Sequence, residues 1–296
     1  MKIKLRPQRI LDVPLREVSG ICLLRGRNHR MSLLAVGDSA AEVACLALPA
    51  GDPPLDWQVT NLARFPGSKL PENDPQIEAI CADGSGRVLL LQESPPRVEL
   101  LDLEETKVLA SIELVVEGND ELASSWSHPT GSRGEGVVLL AGGHLLVAKE
   151  KEPAALIEFG PPGSQPRGLA PGGAMADGDR WSIAEDCRQF VPLATWFPDE
   201  VLTDTCVDFS DLEIGPDGRL YLLSDQSATI VRLDDLPVSG RTAVLTAAWQ
   251  LDDLKGKPEG LSFAPDGRAI VALDKRKRSR NLVLLEPAIA PPDGRA

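Results

Sequence analysis

A seven-residue pattern, a short apolar run that ends in an acid, occurs five times along the chain: SLLAVGD (32–38), RVLLLQE (87–93), HLLVAKE (144–150), RLYLLSD (219–225) and RAIVALD (268–274). A second pattern precedes each copy: SGICLL (19–24), EAICAD (78–83), EGVVLL (135–140), SDLEIG (210–215) and EGLSFA (259–264). The second residue of this pattern lies 14 residues before the closing acid in four copies and 18 before it in the first. Such regular spacing indicates an internal repeat.

Glycine-containing turns separate most of the paired patterns, at DGSGR (83–87), AGG (141–143), GPDGR (215–219) and APDGR (264–268). Glycine supplies the positive φ that a tight hairpin needs, so each repeat is predicted to begin with an antiparallel hairpin. A third apolar run follows every hairpin, at 43–49, 97–103, 155–159, 229–235 and 281–286. A fourth follows four of them, at 57–65, 108–116, 190–197 and 244–251. No segment shows a convincing helical period, so the pattern predicts an all-β protein.

Four-stranded units that repeat around an axis form a β-propeller. The sequence predicts one domain with five blades, and a sixth blade within the long third repeat is the alternative. The fifth repeat has no fourth run, because a proline-rich tail (287–296) follows it. The apolar stretch 3–13 is spare, and we expect it to complete the fifth blade and close the ring, which leaves no open edge. The predicted blades lie near 19–65, 76–118, 133–200, 206–255 and 257–286 plus 3–13.

The chain of 296 residues carries 31 Lys and Arg against 44 Asp and Glu, a net charge of −13. This balance argues against a nucleic-acid binder and against a polybasic membrane-surface protein. The N-terminus has no apolar signal-peptide core, and no window approaches 18 apolar residues, so we expect a cytoplasmic protein without a transmembrane segment. The five cysteines are dispersed and include no C-x-x-C, which fits reduced thiols better than disulfides or a zinc site.

Hairpin topology places the beginnings of the first strands and the ends of the second strands on one face, here called the acidic face. Carboxylates that converge there repel one another; two charges 4 Å apart cost ~4 kcal/mol at an effective dielectric constant of 20. Some are therefore protonated, paired with a base, or bound to a cation. The inner set is Ser19, Glu78, Glu135, Ser210 with Asp211, and Glu259, and the second set is Asp38, Glu93, Glu150, Asp225 and Asp274.

Oxygen ligands without His or Cys favour Ca²⁺ over Zn²⁺ or copper. We expect one calcium ion near the axis, bound by some of Glu78, Glu135 and Glu259, with Asp211 as a further candidate; a solvated acidic rim is the alternative. The second set of acids is instead predicted to hold the backbone of neighbouring blades. We expect Glu150 and Asp225 in particular to bond backbone or hydroxyl groups of an adjacent blade.

The same topology sorts the histidines and two unusual segments. His29 and His144 fall at the opposite face, whereas His128 lies on the acidic face and is the candidate general base; a loop histidine without a role is the alternative. The run KRKRSR (275–280) lies on the acidic face and could meet an anionic ligand, although such runs are usually solvated. The Gly/Pro-rich stretch 160–179 is predicted to be a flexible insertion on the far face.

Three segments resemble the SdiA-regulated family, bacterial propellers distantly similar to NHL-repeat and phytase-like propellers: AKEKEP (148–153), DFSDLEIGPDGRLYLLSDQS (208–227) and KPEGLSFAPDGRAIVALD (257–274). The resemblance spans about residues 14–286 and implies a five-bladed propeller with bound calcium and no established reaction. The sequence departs from the family at Ala79 and Asp211, which replace the usual glycine, and in lacking a secreted or membrane-anchored N-terminus.

Three functions follow as hypotheses. The first is a calcium-containing module that binds a ligand or a protein at the acidic face, without nucleic acid or membrane as partner. The second is a metal-dependent hydrolase of a lactone or phosphoester, in which the ion polarises substrate or activates water. The third is a scaffold without metal. The chain has no G-x-S-x-G, P-loop or G-x-G-x-x-G in the required context, so nucleophilic and nucleotide chemistry have no support.

Overall fold

The computed structural model describes residues 3–26, 30–48, 55–118, 120–128, 132–170, 175 and 179–290. Strand is the main element of these residues, which confirms the all-β prediction. The chain begins with β1 (Ile3–Leu11). The first antiparallel unit follows, made of β2 (Val18–Arg25), β3 (Met31–Gly37), β4 (Glu42–Ala47) and β5 (Gln58–Asn61). A 3-10 helix at Leu62–Arg64 ends this unit.

The next two units repeat the same antiparallel order. The second contains β6 (Ile77–Ala82), β7 (Arg87–Gln92), β8 (Arg97–Asp102) and β9 (Lys107–Leu114). Helix α1 (Glu121–Ser127) precedes the third unit, which contains β10 (Gly134–Leu140), β11 (His144–Lys149), β12 (Ala155–Gly160) and β13 (Gln189–Pro198). Asp120 caps α1 by accepting a hydrogen bond from the Ala123 amide.

Helix α2 (Glu200–Thr205) leads to the fourth unit, and Asp199 caps it at the Leu202 amide. The fourth unit contains β14 (Asp211–Ile214), β15 (Leu220–Ser224), β16 (Thr229–Leu233) and β18 (Leu245–Leu251), with the two-residue β17 (Thr242–Ala243) between the last two. The fifth has three strands from the end of the chain, β19 (Lys257–Phe263), β20 (Ala269–Asp274) and β21 (Leu282–Glu286).

Strand β1 supplies the fourth strand of the fifth unit, as the sequence predicts. It pairs antiparallel with β21, where Ile10 faces Val283, and parallel with β18, where Ile3 faces Trp249. A second parallel pair joins β9 to β13, so neighbouring units merge into sheets of eight and nine strands, whereas β2–β5 remain a four-stranded sheet. The N-terminal strand therefore ties the fifth unit to the fourth.

The first strands of the five units form a closed ring, in which β2, β6, β10, β14 and β19 each contact the next and β19 contacts β2. Small residues permit this close approach. A Cβ atom on Gly20 would lie 2.9 Å from the Ala79 Cα, and one on Gly136 would lie 2.5 Å from the Leu212 nitrogen. Because backbone occupies these positions, neither glycine can be replaced without a shift of the strands.

Apolar side chains fill the spaces between adjacent units. The second strands are buried on both faces, as in β7 and β11, which explains why their sequences are continuous apolar runs rather than alternating ones. The outer strands β1 and β9 are only partly buried. Burial thus decreases from the axis to the rim. Among the residues described, no helix is long and apolar enough to cross a membrane.

Candidate functional site

Three glutamates occupy the same backbone irregularity in three different units. Ile77 faces Gln92 and Ala79 faces Leu91, so Glu78 is an extra residue of a β-bulge. The register shifts in the same way around Glu135 and around Glu259. A bulge leaves its extra residue outside the regular pairing and re-aims its side chain. Apolar periodicity does not reveal bulges. The sequence therefore predicts that these glutamates share a face, but it does not predict the bulges in which they lie.

The equivalent positions of the other two units hold serines that join neighbouring units. The Ser19 hydroxyl donates to the Ile77 carbonyl at 2.5 Å, and the Ser210 hydroxyl donates to the Pro258 carbonyl at 3.0 Å. The three glutamates, by contrast, make no hydrogen bond or ion pair to any residue that the structure describes. Their carboxylates are therefore available for a ligand, whereas the two serines are structural.

Burial and mutual repulsion disfavour the charged form of these carboxyl groups. Burial, followed by the charges of Asp38, Glu93 and Glu259, raises the pKa of Glu78 well above its usual range. Burial, followed by the charge of Glu78, does the same to the pKa of Glu135. The pKa of Glu259 is raised to about 8, again mainly by burial. The three glutamates are thus near enough to influence one another electrostatically, which is what carboxylates on one face are expected to do.

Asp211 is fully buried and uses both carboxylate oxygens within the protein. Oδ1 accepts a hydrogen bond from the Leu212 amide at 2.7 Å, and Oδ2 accepts one from the Leu261 amide at 2.6 Å. The second bond crosses from β14 to β19, so this side chain joins the fourth and fifth units. The replacement of the usual small residue by Asp211 gives the ring a polar crosslink, and these two bonds favour a structural role over metal binding.

The second set of acids divides into different roles. Glu93 accepts a hydrogen bond from the Arg133 amide of the next unit at 3.1 Å, as predicted for this set. The specific prediction for Glu150 and Asp225 is wrong. Glu150 pairs with the Lys151 ammonium, and the Asp225 carboxylate accepts no hydrogen bond from a described residue. Asp208, which the sequence analysis missed although it lies in the motif DFSD, bonds a hydroxyl and a backbone amide instead, but within the fourth unit.

Asp38 contributes an unpaired carboxylate oxygen to the acidic face. Its Oδ1 atom is buried and has no hydrogen-bond partner among the residues described. Burial, followed by the charges of Glu17 and Asp274, raises the pKa of Asp38 to about 6. The acidic face therefore extends beyond the three bulge glutamates to the end of β3.

The donor chemistry of this face suits a hard cation, because every candidate ligand is an oxygen atom. A preformed cage is not present: within the described ranges, no three side chains among His, Cys, Asp and Glu lie close enough together to hold a metal ion. The residues fit calcium in chemistry and in their lack of competing partners. Binding would require the flexible glutamate side chains to converge.

The structure describes two of the three histidines. His128 ends α1; its carbonyl accepts a bond from Arg133 Nη2 at 3.0 Å, and its amide donates to Ser125. A role for His128 as a general base stays a prediction. His144 is buried and lies 2.6 Å from Glu158, between Nδ1 and Oε1. His29 lies outside the described residues.

Hydrogen bonds hold the described part of the Gly/Pro-rich insertion. Glu158 accepts hydrogen bonds from the amides of Arg167 and Gly168, and Leu169 pairs with Leu236 of the fourth unit. At its far end, the Trp181 amide donates to Asp83, which is also paired with Arg87. Buried carboxylates therefore anchor the backbone of the described part, and the flexibility of the insertion stays a prediction.

No family model and no curated protein matches this chain. Among solved structures, glutaminyl cyclase from Myxococcus xanthus is similar, with a TM-score of 0.51 and 11% identity over 97% of this chain and 98% of that one. A gluconolactonase-like protein also has a TM-score of 0.51, with 13% identity over 96% of this chain and 82% of that one. Both are β-propeller folds. At these identities the similarity shows the fold alone, and the fold is that of a β-propeller.

A third structure illustrates a difference in length. The chain covers 65% of a Bacteroides caccae protein of unknown function, at 14% identity and a TM-score of 0.39. A TM-score this low supports no argument about function. The resemblance to the SdiA-regulated family is not shown by these comparisons and stays a prediction.

Proposed function

We propose that this chain is a five-bladed β-propeller whose acidic face binds one calcium ion and serves as a binding module for a ligand or a protein partner. The five antiparallel units and the closed ring of first strands support the blade number. Between β12 and β14 the described residues contain one strand and one helix, which also favours five blades over six. The observation that carries the calcium proposal is the set of three bulge glutamates without partners.

Glu78, Glu135 and Glu259 would hold the ion, with water and carbonyl oxygens completing the six to eight ligands that calcium takes. The ion would supply the positive charge that the repelling carboxylates lack. Asp211 is a lesser candidate, because backbone amides already occupy its oxygens. Glu93 and Arg133 would keep the second and third units in register around the site.

Thermal melting with calcium, with magnesium and with chelator tests this proposal. A ligand that binds only the native state raises the melting temperature through mass action. We expect calcium to raise it, chelator to lower it, and Glu135→Gln to weaken both responses. Glu117→Gln, at an exposed glutamate outside the bulges, is the matched control and should respond as wild type does. An absence of any calcium response in the wild-type protein at saturating concentration would leave a scaffold without metal.

A metal-dependent hydrolase of a lactone or phosphoester is the second candidate. It is favoured by the gluconolactonase-like neighbour, whose fold this chain shares at a TM-score of 0.51. His128 would be the general base in that case. Hydrolysis of gluconolactone and of p-nitrophenyl phosphate, each measured with calcium and with chelator, separates the candidates. Calcium-dependent turnover that His128→Gln abolishes would support the enzyme, whereas calcium binding without turnover would support the binding module.

A further inference from the structure

The connection between β20 and β21 carries five cations in six residues. This segment, residues 275–280, is called the basic loop. Arg276, Lys277 and Arg278 form its tip and are exposed. In the part of the chain that the structure describes, none of the three makes a hydrogen bond or an ion pair. The tip therefore presents three consecutive charges without partners.

Hydrogen bonds fix both ends of the basic loop. The Lys275 ammonium donates to the Arg280 carbonyl at 2.6 Å, which closes the loop upon itself. The Arg280 amide donates to Asp12 Oδ1 at 2.6 Å, and the Glu17 amide donates to the Lys275 carbonyl at 2.9 Å. The N-terminal segment thus holds the loop in place, and the cations extend from an anchored base.

The cations are crowded. Partial burial, followed by the charges of Arg280 and Lys255, lowers the pKa of Lys275. Like charges at this spacing repel, and Asp274, which interacts electrostatically with Arg276, forms no ion pair with it. A protein with 44 acidic residues has many acids available for such pairing. Unpaired cations on an otherwise acidic protein indicate a surface that meets an external anion.

The basic loop lies in a region whose charge opposes that of the rest of the chain. Residues 3–16 and 251–286 together carry 12 Lys and Arg against seven Asp and Glu, a net charge of +5. The whole chain carries −13, so the remainder carries −18. An extended polyanion such as duplex DNA or an anionic membrane would contact the rest of the chain as well as the loop, and the negative charge of the rest of the chain would repel it. A short anionic segment would meet the loop alone.

We propose that the basic loop is a docking surface for a short acidic segment of a protein partner. A small anion is bound by donors that converge in a concave pocket, whereas the tip of this loop is fully exposed. An extended Asp- or Glu-rich segment can place successive carboxylates against successive cations, and arginine offers each a two-pronged donor. Electrostatic complementarity of this kind favours fast and selective association. The surface consists of residues other than the bulge glutamates and needs no metal.

Fluorescence anisotropy of a labelled hexaglutamate peptide tests the proposal on the full chain. The measurement is made in chelator, so that a metal-bridged contact with the acidic face cannot contribute. We expect binding that weakens steeply as salt is added. The triple variant Arg276→Gln, Lys277→Gln and Arg278→Gln should bind about tenfold or more weakly, because the three charges are the proposed contacts. The single variant Lys277→Glu should also weaken binding.

The matched control removes three exposed cations elsewhere, by Arg64→Gln, Arg180→Gln and Arg241→Gln, so net charge changes equally. It should keep the affinity within about twofold. No binding of the peptide at low ionic strength, or equal affinity for wild type and triple variant, would overturn the proposal. Tighter binding of a duplex DNA oligonucleotide or of phosphatidylserine vesicles would overturn the assignment to an acidic protein segment.

Discussion

At the scale of single residues, two neighbouring aspartates show that burial and partners matter more than position in a motif. Asp208 is 2% exposed and accepts hydrogen bonds from the Ser224 hydroxyl and the Gln226 amide. Asp225 is the acid that closes the repeat pattern, yet it is half-buried and its carboxylate accepts no hydrogen bond from a described residue. The pattern identifies Asp225, whereas the fold depends on Asp208.

We therefore expect Asp208→Ala to lower the free energy of unfolding by ~1–3 kcal/mol, because the buried Ser224 hydroxyl and the Gln226 amide lose their acceptor. Asp225→Ala should change it by ~0.5 kcal/mol or less. Burial raises the pKa of Asp225, so removal of this carboxyl group is more apt to stabilise than to destabilise. Urea denaturation of the two variants at neutral pH measures both effects. A larger loss for Asp225→Ala than for Asp208→Ala would contradict this assignment.

Glu213 gives the stability a pH dependence of defined sign. Burial raises its pKa from 4.5 to about 8, and the hydrogen bond from the Ile214 amide only partly opposes this. Because the unfolded chain ionises this group first, stability falls as pH rises from about 4.5 towards 8. Glu213→Gln should thus be roughly 1–3 kcal/mol more stable than wild type at pH 8 and equal to it near pH 4.

Urea midpoints of wild type and Glu213→Gln across this pH range provide the measurement. Other carboxyl groups on the acidic face also have raised pKa values, so the difference between the two proteins isolates Glu213. Glu117→Gln, at an exposed site, is the control and should follow the wild-type profile. A difference that does not change with pH would show that Glu213 affects stability through packing alone.

At the scale of elements, the sequence predicts what lies close along the chain. The hairpin of β6 and β7 is predicted at 78–83 and 87–93 and observed at Ile77–Ala82 and Arg87–Gln92, because a turn and two apolar runs leave a local signal. Helices α1 and α2 are not predicted. Each has only two turns or fewer and is defined by its aspartate cap rather than by a periodic apolar face.

Contacts between elements far apart in sequence leave no such signal. The bond from Asp211 to the Leu261 amide spans 50 residues, and the register shift that presents Glu135 depends on how β10 pairs with β11. Composition and topology could place three glutamates on one face, but they could not show which acids have partners. The sequence thus predicts where the candidate site lies. It does not predict which of the acids at the site form hydrogen bonds.

Asn281 joins the last strand to the segment after β1, and we expect its removal to lower the stability of the protein. Its side chain is fully buried, accepts a bond from the Val13 amide and donates to the carbonyls of Val13 and Leu15. Asn281→Ala leaves these backbone groups unpaired, and we expect it to lower the free energy of unfolding by ~2–4 kcal/mol. Urea denaturation measures the loss, with the exposed Asn73→Ala as control. Wild-type stability of Asn281→Ala would mean that β1 holds the ring without this contact.

At the scale of the whole molecule, the fold depends on joining the first strand to the last. Strand β1 carries few buried side chains, so its sequence alone resembles a surface segment. Strand β1 stabilises the fold through its position, because it pairs with β18 on one side and with β21 on the other. It also places Asp12 and Glu17 where they hold the basic loop. Ring closure and the basic loop are therefore linked.

Removal of residues 1–12 should convert a closed ring into an open one. Both β18 and β21 would then present unpaired backbone, and the cavity left by the fully buried Leu5 alone would cost ~2–5 kcal/mol. Open strand edges also promote association between chains. We expect the shortened chain to self-associate and to lose its cooperative thermal transition, as measured by light scattering and calorimetry.

Complementation in trans separates ring closure from a general loss of stability. A synthetic peptide of residues 3–13, added to the shortened chain, should restore the wild-type transition, because it carries every hydrogen-bonding group and apolar side chain of β1. The same peptide with Leu5→Asp should not restore it, since this side chain enters the core between the fourth and fifth units. A shortened chain that melts as the full chain does would show that the remaining contacts close the ring without β1.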